Sequence, residues 1–207
     1  MTSSPWQKIR VNRIHPSIGP LIRLLQEHEC YIAGGYARWA CSPRENSPLP
    51  KDIDIICPTE QRYEALRASF EANHRKGLDT DFATTFRGPG HASGRDVQLL
   101  KLFRGDTIEA CLDLIDFSVC RVAILGMDAA VADHRFLIDE LHSRLTVVNL
   151  SNASMPENTI FRLMNYARKG YDFTQEDVMK AIAHVRSAST VDGKLVSQAS
   201  SFSVFGS

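Results

Sequence analysis

The sequence predicts an α+β fold: a sheet flanked by helices, followed by a small C-terminal helical part. Three observations carry that reading. Short apolar runs of strand length alternate with segments of helical apolar spacing. The run beginning Asp52-Ile53-Asp54 alternates acidic and apolar residues as a half-buried strand does. Beyond Pro156 the signals are helical only, up to a Ser-rich tail.

Length and composition fit this class. The 207 residues suit one large domain or a small domain with an appended segment. Lys and Arg number 24, and so do Asp and Glu, so the formal net charge is zero. That balance argues against a dedicated sequence-independent nucleic-acid binder and leaves room for a local basic groove. No apolar run reaches transmembrane length, and the opening MTSSPWQKIR lacks a signal-peptide core. A membrane role is therefore not expected, and a cytoplasmic location is. The five cysteines, Cys30, Cys41, Cys57, Cys111 and Cys120, are odd in number, form no Cys-x-x-Cys and sit mostly in apolar runs. Buried, reduced thiols follow.

In chain order, residues 1–15 read as a flexible leader with Trp6 as an anchor. His15-Pro16-Ser17 opens a helix with Ile18, Leu21, Ile22, Leu24 and Leu25 on its apolar face. Cys30–Ala33 is a buried strand, and Gly34-Gly35 turns it into a short helix reaching Ala40. Ser42–Lys51 is a loop rich in Pro, Ser and charge. The acidic strand spans Lys51–Cys57, and Thr59 caps a helix running to about His74. Phe82–Arg87 and Asp96–Phe103 are strands on either side of a glycine-rich loop, Gly88–Arg95. Thr107–Ile115 is a capped helix, and Asp116–Leu125 reads as a further buried strand. Asp133–Arg144 is a surface helix with Phe136, Leu137 and Leu141 facing in. Pro156 fits the first turn of a helix that ends at Gly170. Thr174 with Asp177 forms a capping-box-like start for one more helix. These elements divide into a domain over 16–150, a helical segment over 151–187 and a disordered tail over 188–207.

The chemistry concentrates between Tyr31 and Cys57. Asp52 and Asp54, two apart on a strand, project from the same face, while Ile53 and Ile55 point to the other. Lys51 faces away from both acids by the same alternation and reads as structural or solvent-facing. Two carboxylates so close repel unless a cation sits between them. Magnesium binds through one or two carboxylates plus substrate phosphates. Backbone N–H groups at the Gly34-Gly35 turn are suited to phosphate oxygens. Alone, each half is a common feature; together and in this order they read as a place for a nucleoside triphosphate and a metal.

That stretch resembles the nucleotidyltransferase superfamily of the DNA polymerase beta type, in particular the poly(A) polymerase and CCA-adding enzyme branch. The shared pattern is Gly-Gly, two residues, Arg, then a strand with Asp-x-Asp: here Gly34, Gly35, Arg38, Asp52 and Asp54. Trp39 stands where the tRNA-type enzymes usually carry Asp. A second likeness lies in TIFRLMNYARKGYDF. Arg162 matches the first Arg of an Arg-x-x-Arg-Phe-Ala helix, Asn165 replaces the second, and Lys169-Gly170-Tyr171 match its end.

The resemblance implies a nucleotidyltransferase-fold mixed sheet. It also implies Mg2+ or Mn2+ as cofactor and transfer of a nucleotidyl group from a nucleoside triphosphate such as ATP to a hydroxyl. Asp52 and Asp54 would be catalytic metal ligands. The third carboxylate, from a later strand, would be Asp116, with Asp96 as its rival and Asp113 the weakest candidate. Gly34, Gly35, Arg38, Arg162 and Lys169 would bind the nucleotide, Arg38 having a loop-bracing salt bridge as its other role. The chain lacks the long tRNA-binding helical region of CCA-adding enzymes, so a minimal form is expected. The acceptor is open among an RNA end, a protein and a small molecule. RNA comes first, on Arg87, His91 and Arg95 of the glycine loop and Arg162, Arg168 and Lys169 of the helix. The alternative is a catalytically inactive nucleotide-binding or regulatory module on the same fold, which Trp39, Asn165 and the uncertain third acid favour.

Overall fold

The computed structural model describes residues 4–45, 47–88, 94–150 and 156–187 and the strands 189–191 and 194–196. Its centre is an eight-stranded mixed sheet. In chain order the strands are β1 (Trp6–Arg10), β2 (Tyr31–Ala33), β3 (Asp52–Ile56), β4 (Lys76–Asp79), β5 (Ala83–Phe86), β6 (Asp96–Leu100), β7 (Val122–Ile124) and β8 (Ala129–Asp133). Across the sheet they lie β1-β8-β7-β2-β3-β6-β5-β4. Among these strands only β3 and β6 pair in parallel, with Asp52 beside Asp96 and Asp54 beside Gln98. The helices are α1 (Gly19–Glu27), α2 (Gly34–Cys41), α3 (Glu60–Asn73), α4 (Ile108–Asp113), α5 (Phe136–Leu141), α6 (Pro156–Arg168) and α7 (Gln175–Ser187). None among the described residues is long and apolar enough to cross a membrane.

Alternation along β3 divides the core. Ile53 and Ile55, fully buried, join Leu21, Leu25, Tyr63, Leu66 and Phe70 from α1 and α3 on one side of the sheet. Each such side chain contributes about 1.5–3 kcal/mol by leaving water. Ile56, on the face shared with Asp52 and Asp54, joins Leu112, Phe117, Leu163 and Tyr171. The acids therefore look toward the side that carries α6. Local signals set the helix starts as expected. Thr59 accepts from the Arg62 N–H and Thr107 from the Ala110 N–H. The Thr174 N–H and hydroxyl donate to Asp177, whose own N–H donates back to Thr174. Asp177 also accepts from the Val147 N–H, so one carboxylate caps α7 and ties it to the chain leaving the sheet.

Several elements differ from the sequence expectation. Residues 6–10, expected within a flexible leader, form edge strand β1, paired antiparallel to β8 from Trp6 opposite Asp133 to Arg10 opposite Ala129. No pattern in the sequence marks β4 or β8 as a separate strand. The strand expected over Asp116–Leu125 shrinks to β7, because a 3-10 turn at Ser118–Cys120 comes first. Helix α5 is shorter than expected, and Leu141, expected inside, is exposed while Asp139 and Glu140 are buried. Within the stretch expected to be a disordered tail, β9 (Ser189–Val191) and β10 (Lys194–Val196) pair as a hairpin. Most of the glycine loop, with His91, lies outside the described residues. The five thiols are free and buried, as expected.

Candidate active site

The site begins where β2 turns into α2 beside β3. Ala33 lies opposite Asp54 in the antiparallel register, which puts the next residue, Gly34, against the Asp54 side chain. Gly34 has φ +59°, and a Cβ there would overlap Asp54 Oδ2. Glycine is thus required twice, for the left-handed backbone and for the space. Asp52 and Asp54 project from one face of β3, as the alternation predicts. Burial and the charge of Asp52 push the Asp54 carboxyl up to about 6, against the pull of the Gly35 N–H and Arg162.

Beside this pair opens a cavity of about 520 Å³, lined by Gly35, Trp39, Asp52, Glu140 and Tyr171 and by four cations, Arg38, Arg44, Lys51 and Lys169. The loop between α2 and β3 forms one wall and is pinned by side chains. The Arg13 guanidinium donates to the carbonyls of Trp39, Arg44 and Glu45 at 2.7–2.8 Å and lies 4.8 Å from the Trp39 ring centre. Trp39 Nε1 donates to the Ser47 carbonyl at 3.1 Å, and Arg95 Nε to the Pro50 carbonyl at 3.0 Å. Trp39, the departure from the family pattern, therefore braces the cavity wall. Opposite, Arg38 lies over the rings of Tyr166 and Tyr171, at 5.1 and 5.5 Å. Its Nε is 3.8 Å from Glu140 Oε1, and its buried Nη1 has no hydrogen-bond partner among the described residues. Lys169 is exposed, with its ammonium 5.3 Å from the Tyr166 ring centre.

Of the expected residues the structure places Gly35, Arg38, Asp52 and Lys169 on the cavity, with Gly34 and Asp54 packed against each other beside Asp52. Among the described residues no group of three or more His, Cys, Asp or Glu is placed to hold a metal ion. Asp116 does not head a strand; it lies in the turn before β7, nearly buried, and receives the Arg162 guanidinium at 2.6 Å. Burial pushes its carboxyl up, and Arg162 opposes that. Asp96, though level with Asp52, is held by Arg87 at 2.5 Å and by the Gly88 N–H. The position level with Asp54 on β6 holds Gln98, whose amide donates to Asp52 at 3.3 Å. Arg162 is therefore engaged as the partner of Asp116 and packs over Phe117, and it does not line the cavity. Sequence reasoning misses Arg44, Lys51 and Glu140 as cavity residues. Alternation on β3 turns Lys51 away from the acids, yet the loop it ends curls back over the cavity. The cluster of charge between Ser42 and Lys51 was the available signal.

No protein-family model and no curated protein matches the sequence. Solved structures do. A Thermotoga maritima CCA-adding enzyme complexed with tRNA superposes with TM-score 0.63 at 16% identity, over 86% of this chain and 46% of that one. A CCA-adding enzyme in complex with CTP gives TM-score 0.61 at 16% identity, over 89% and 47%. A tRNA nucleotidyltransferase complexed with a primer tRNA and an incoming ATP analogue gives 0.55 at 14% identity, over 79% and 50%. The chain spans about half the length of these proteins. At such identities the likeness is one of fold, and the fold is that of the nucleotidyltransferases to which the glycine turn and the Asp-x-Asp strand point.

Proposed function

We propose that the protein transfers a nucleotidyl group from a nucleoside triphosphate to a hydroxyl acceptor with the help of a divalent cation. The observation that carries this reading is Asp52 in the wall of a cavity that four cations also line, with Asp54 two residues on along the same strand face. The pair fits magnesium by its chemistry: two hard oxygen donors on one strand face, mutually repelling and both half-buried. A bound metal would polarise the phosphate and favour the attacking hydroxyl in its ionised form. The residues of the chain do the rest. Asp52 and Asp54 hold the metal, and Arg38, Arg44, Lys51 and Lys169 draw the triphosphate and balance charge as it builds. The pinned loop carries two of those cations, Arg44 and Lys51. Neighbours solved with CTP, ATP analogue and tRNA support a nucleoside triphosphate as donor and an RNA end as acceptor. Five buried free thiols suit a cytoplasmic setting.

Incubation with labelled triphosphates, magnesium and a panel of RNA ends should give labelled product, and EDTA should remove it. No product and no nucleotide binding in any combination would end this reading. If RNA is the acceptor, its binding should weaken with salt by a log–log slope of roughly −0.7 per phosphate contact. Arg168→Ala with Lys169→Ala should flatten that slope by about one to two contacts; a profile insensitive to salt and to both changes excludes RNA.

A second reading, nucleotide binding without turnover, is favoured by Gln98. Its amide occupies the strand position level with Asp54, and no third acid is grouped with the pair among the described residues. Tight triphosphate binding with no product across acceptors and metals would select it.

A further inference from the structure

The cavity wall contains an acid and a base that do not make the contact expected of them. Glu140 is fully buried, and Arg38 lies beside it on the adjoining helix. A buried carboxylate next to a guanidinium ordinarily takes its N–H groups in a short, forked pair. Here the nearest approach is 3.8 Å, outside hydrogen-bond range, and Arg38 Nη1 is buried without a partner among the described residues. The oxygens of Glu140 are directed elsewhere. The Ser42 hydroxyl, just past the end of α2, donates to Oε2 at 2.7 Å. The Tyr171 hydroxyl, just past the end of α6, donates to Oε1 at 2.5 Å. Both donors are neutral hydroxyls, so neither is a charged rival to the Arg38 guanidinium for the Glu140 oxygens. The Tyr166 and Tyr171 rings support that guanidinium from below.

We propose that Ser42 and Tyr171 form a hydroxyl clamp that holds the Glu140 carboxylate off Arg38 and so reserves the guanidinium for a phosphate group in the cavity. Glu140 is then a positioning residue. The Tyr166 and Tyr171 rings hold Arg38 in place, and the tethered oxygens of Glu140 leave the cavity-lining guanidinium without a carboxylate partner in hydrogen-bond range. The clamp also gives α6 a role in the site, since Tyr171 reaches Glu140 only when that helix is docked. This inference rests on the proposed function, because it assigns a phosphate-bearing ligand to the same cavity.

The test uses tripolyphosphate and magnesium-ATP as probes, and needs no turnover. Tyr171→Phe keeps the ring and removes the donor. The freed Glu140 oxygen should then close on Arg38, and affinity for both probes should fall about tenfold. Adding Glu140→Gln in that background removes the charge that quenches Arg38, and affinity should return to within about threefold of wild type. A purely structural role would make the double variant worse than either single one. Ser42→Ala, which frees the other oxygen, should give a fall of the same sign, and it carries the test if Tyr171→Phe does not fold by thermal melting. Unchanged affinity in both single variants, or a loss that Glu140→Gln does not restore, overturns the clamp while leaving the proposed function intact. A wild-type protein that binds neither probe overturns both.

Discussion

Replacing Asp54 with Asn is expected to lower nucleotidyl transfer by roughly 10³-fold or more and, at the same time, to raise the melting temperature of the metal-free protein at pH 7.5. The two effects share one cause. Asp54 is half-buried beside Asp52, and its carboxyl is pushed up to about 6, above its ordinary value of 3.8. The unfolded chain therefore gives up this proton at lower pH than the folded one. Between the two values stability falls as pH rises, and above about pH 6 the full cost is present. Asn keeps the shape against Gly34 and an oxygen for the Gly35 N–H, yet carries no charge. The gain should be about 1–3 kcal/mol at pH 7.5, or several degrees for a chain of this size. It should shrink as pH is lowered toward 5. Magnesium should narrow the difference by stabilising the wild type more than the variant. Thermal melts over pH 5–8, with and without magnesium, check the stability half, and the labelled-nucleotide assay checks the other. A variant less stable at pH 7.5 without metal, or one that retains turnover, would contradict the proposed placement of charge.

Strain of this kind was legible in the sequence because it follows from alternation along one strand. Two acids two residues apart had to share a face whichever sheet received them. The glycine turn was equally legible, and the register shows why: Ala33 opposite Asp54 leaves the next residue no room for a side chain. The buried acids of α5 were not legible. Apolar periodicity placed Leu141 inside, but Asp139 is held there by the Ser118 hydroxyl and Arg144, and Glu140 by Ser42 and Tyr171. Each of those partners is distant in sequence or unmarked by any pattern, so a buried acid reads as a surface one. The setting of Asp116 was not legible for a related reason: the run Asp116–Leu125 reads as one buried strand, but a 3-10 turn breaks it and the acid takes the Arg162 guanidinium from α6. Strand β1 escaped because its stability comes from pairing with β8, which no local signal in Trp6–Arg10 announces.

Gly34→Ala is the other substitution expected to have a large effect, and its consequences separate backbone strain from crowding of the acid. The left-handed backbone at φ +59° costs a residue with a Cβ about 1–2 kcal/mol. The same Cβ would also overlap the Asp54 carboxylate, which has little freedom to retreat between β2 and β6. Overpacking of this kind costs about 1–3 kcal/mol, so the total loss should be about 2–5 kcal/mol, a large share of the stability of an ordinary domain. Activity should fall with it, because any relief moves Asp54 away from Asp52. The two costs can be told apart by adding Asp54→Ala. That change removes the crowded oxygens, so the double variant should recover roughly the 1–3 kcal/mol of crowding but none of the backbone cost. Urea unfolding of the wild type, both single variants and the double variant forms the cycle. Additive losses, with no recovery in the double variant, would mean that the Asp54 carboxylate does not stand against Gly34, and the metal pair would have to be built differently from the arrangement on β3.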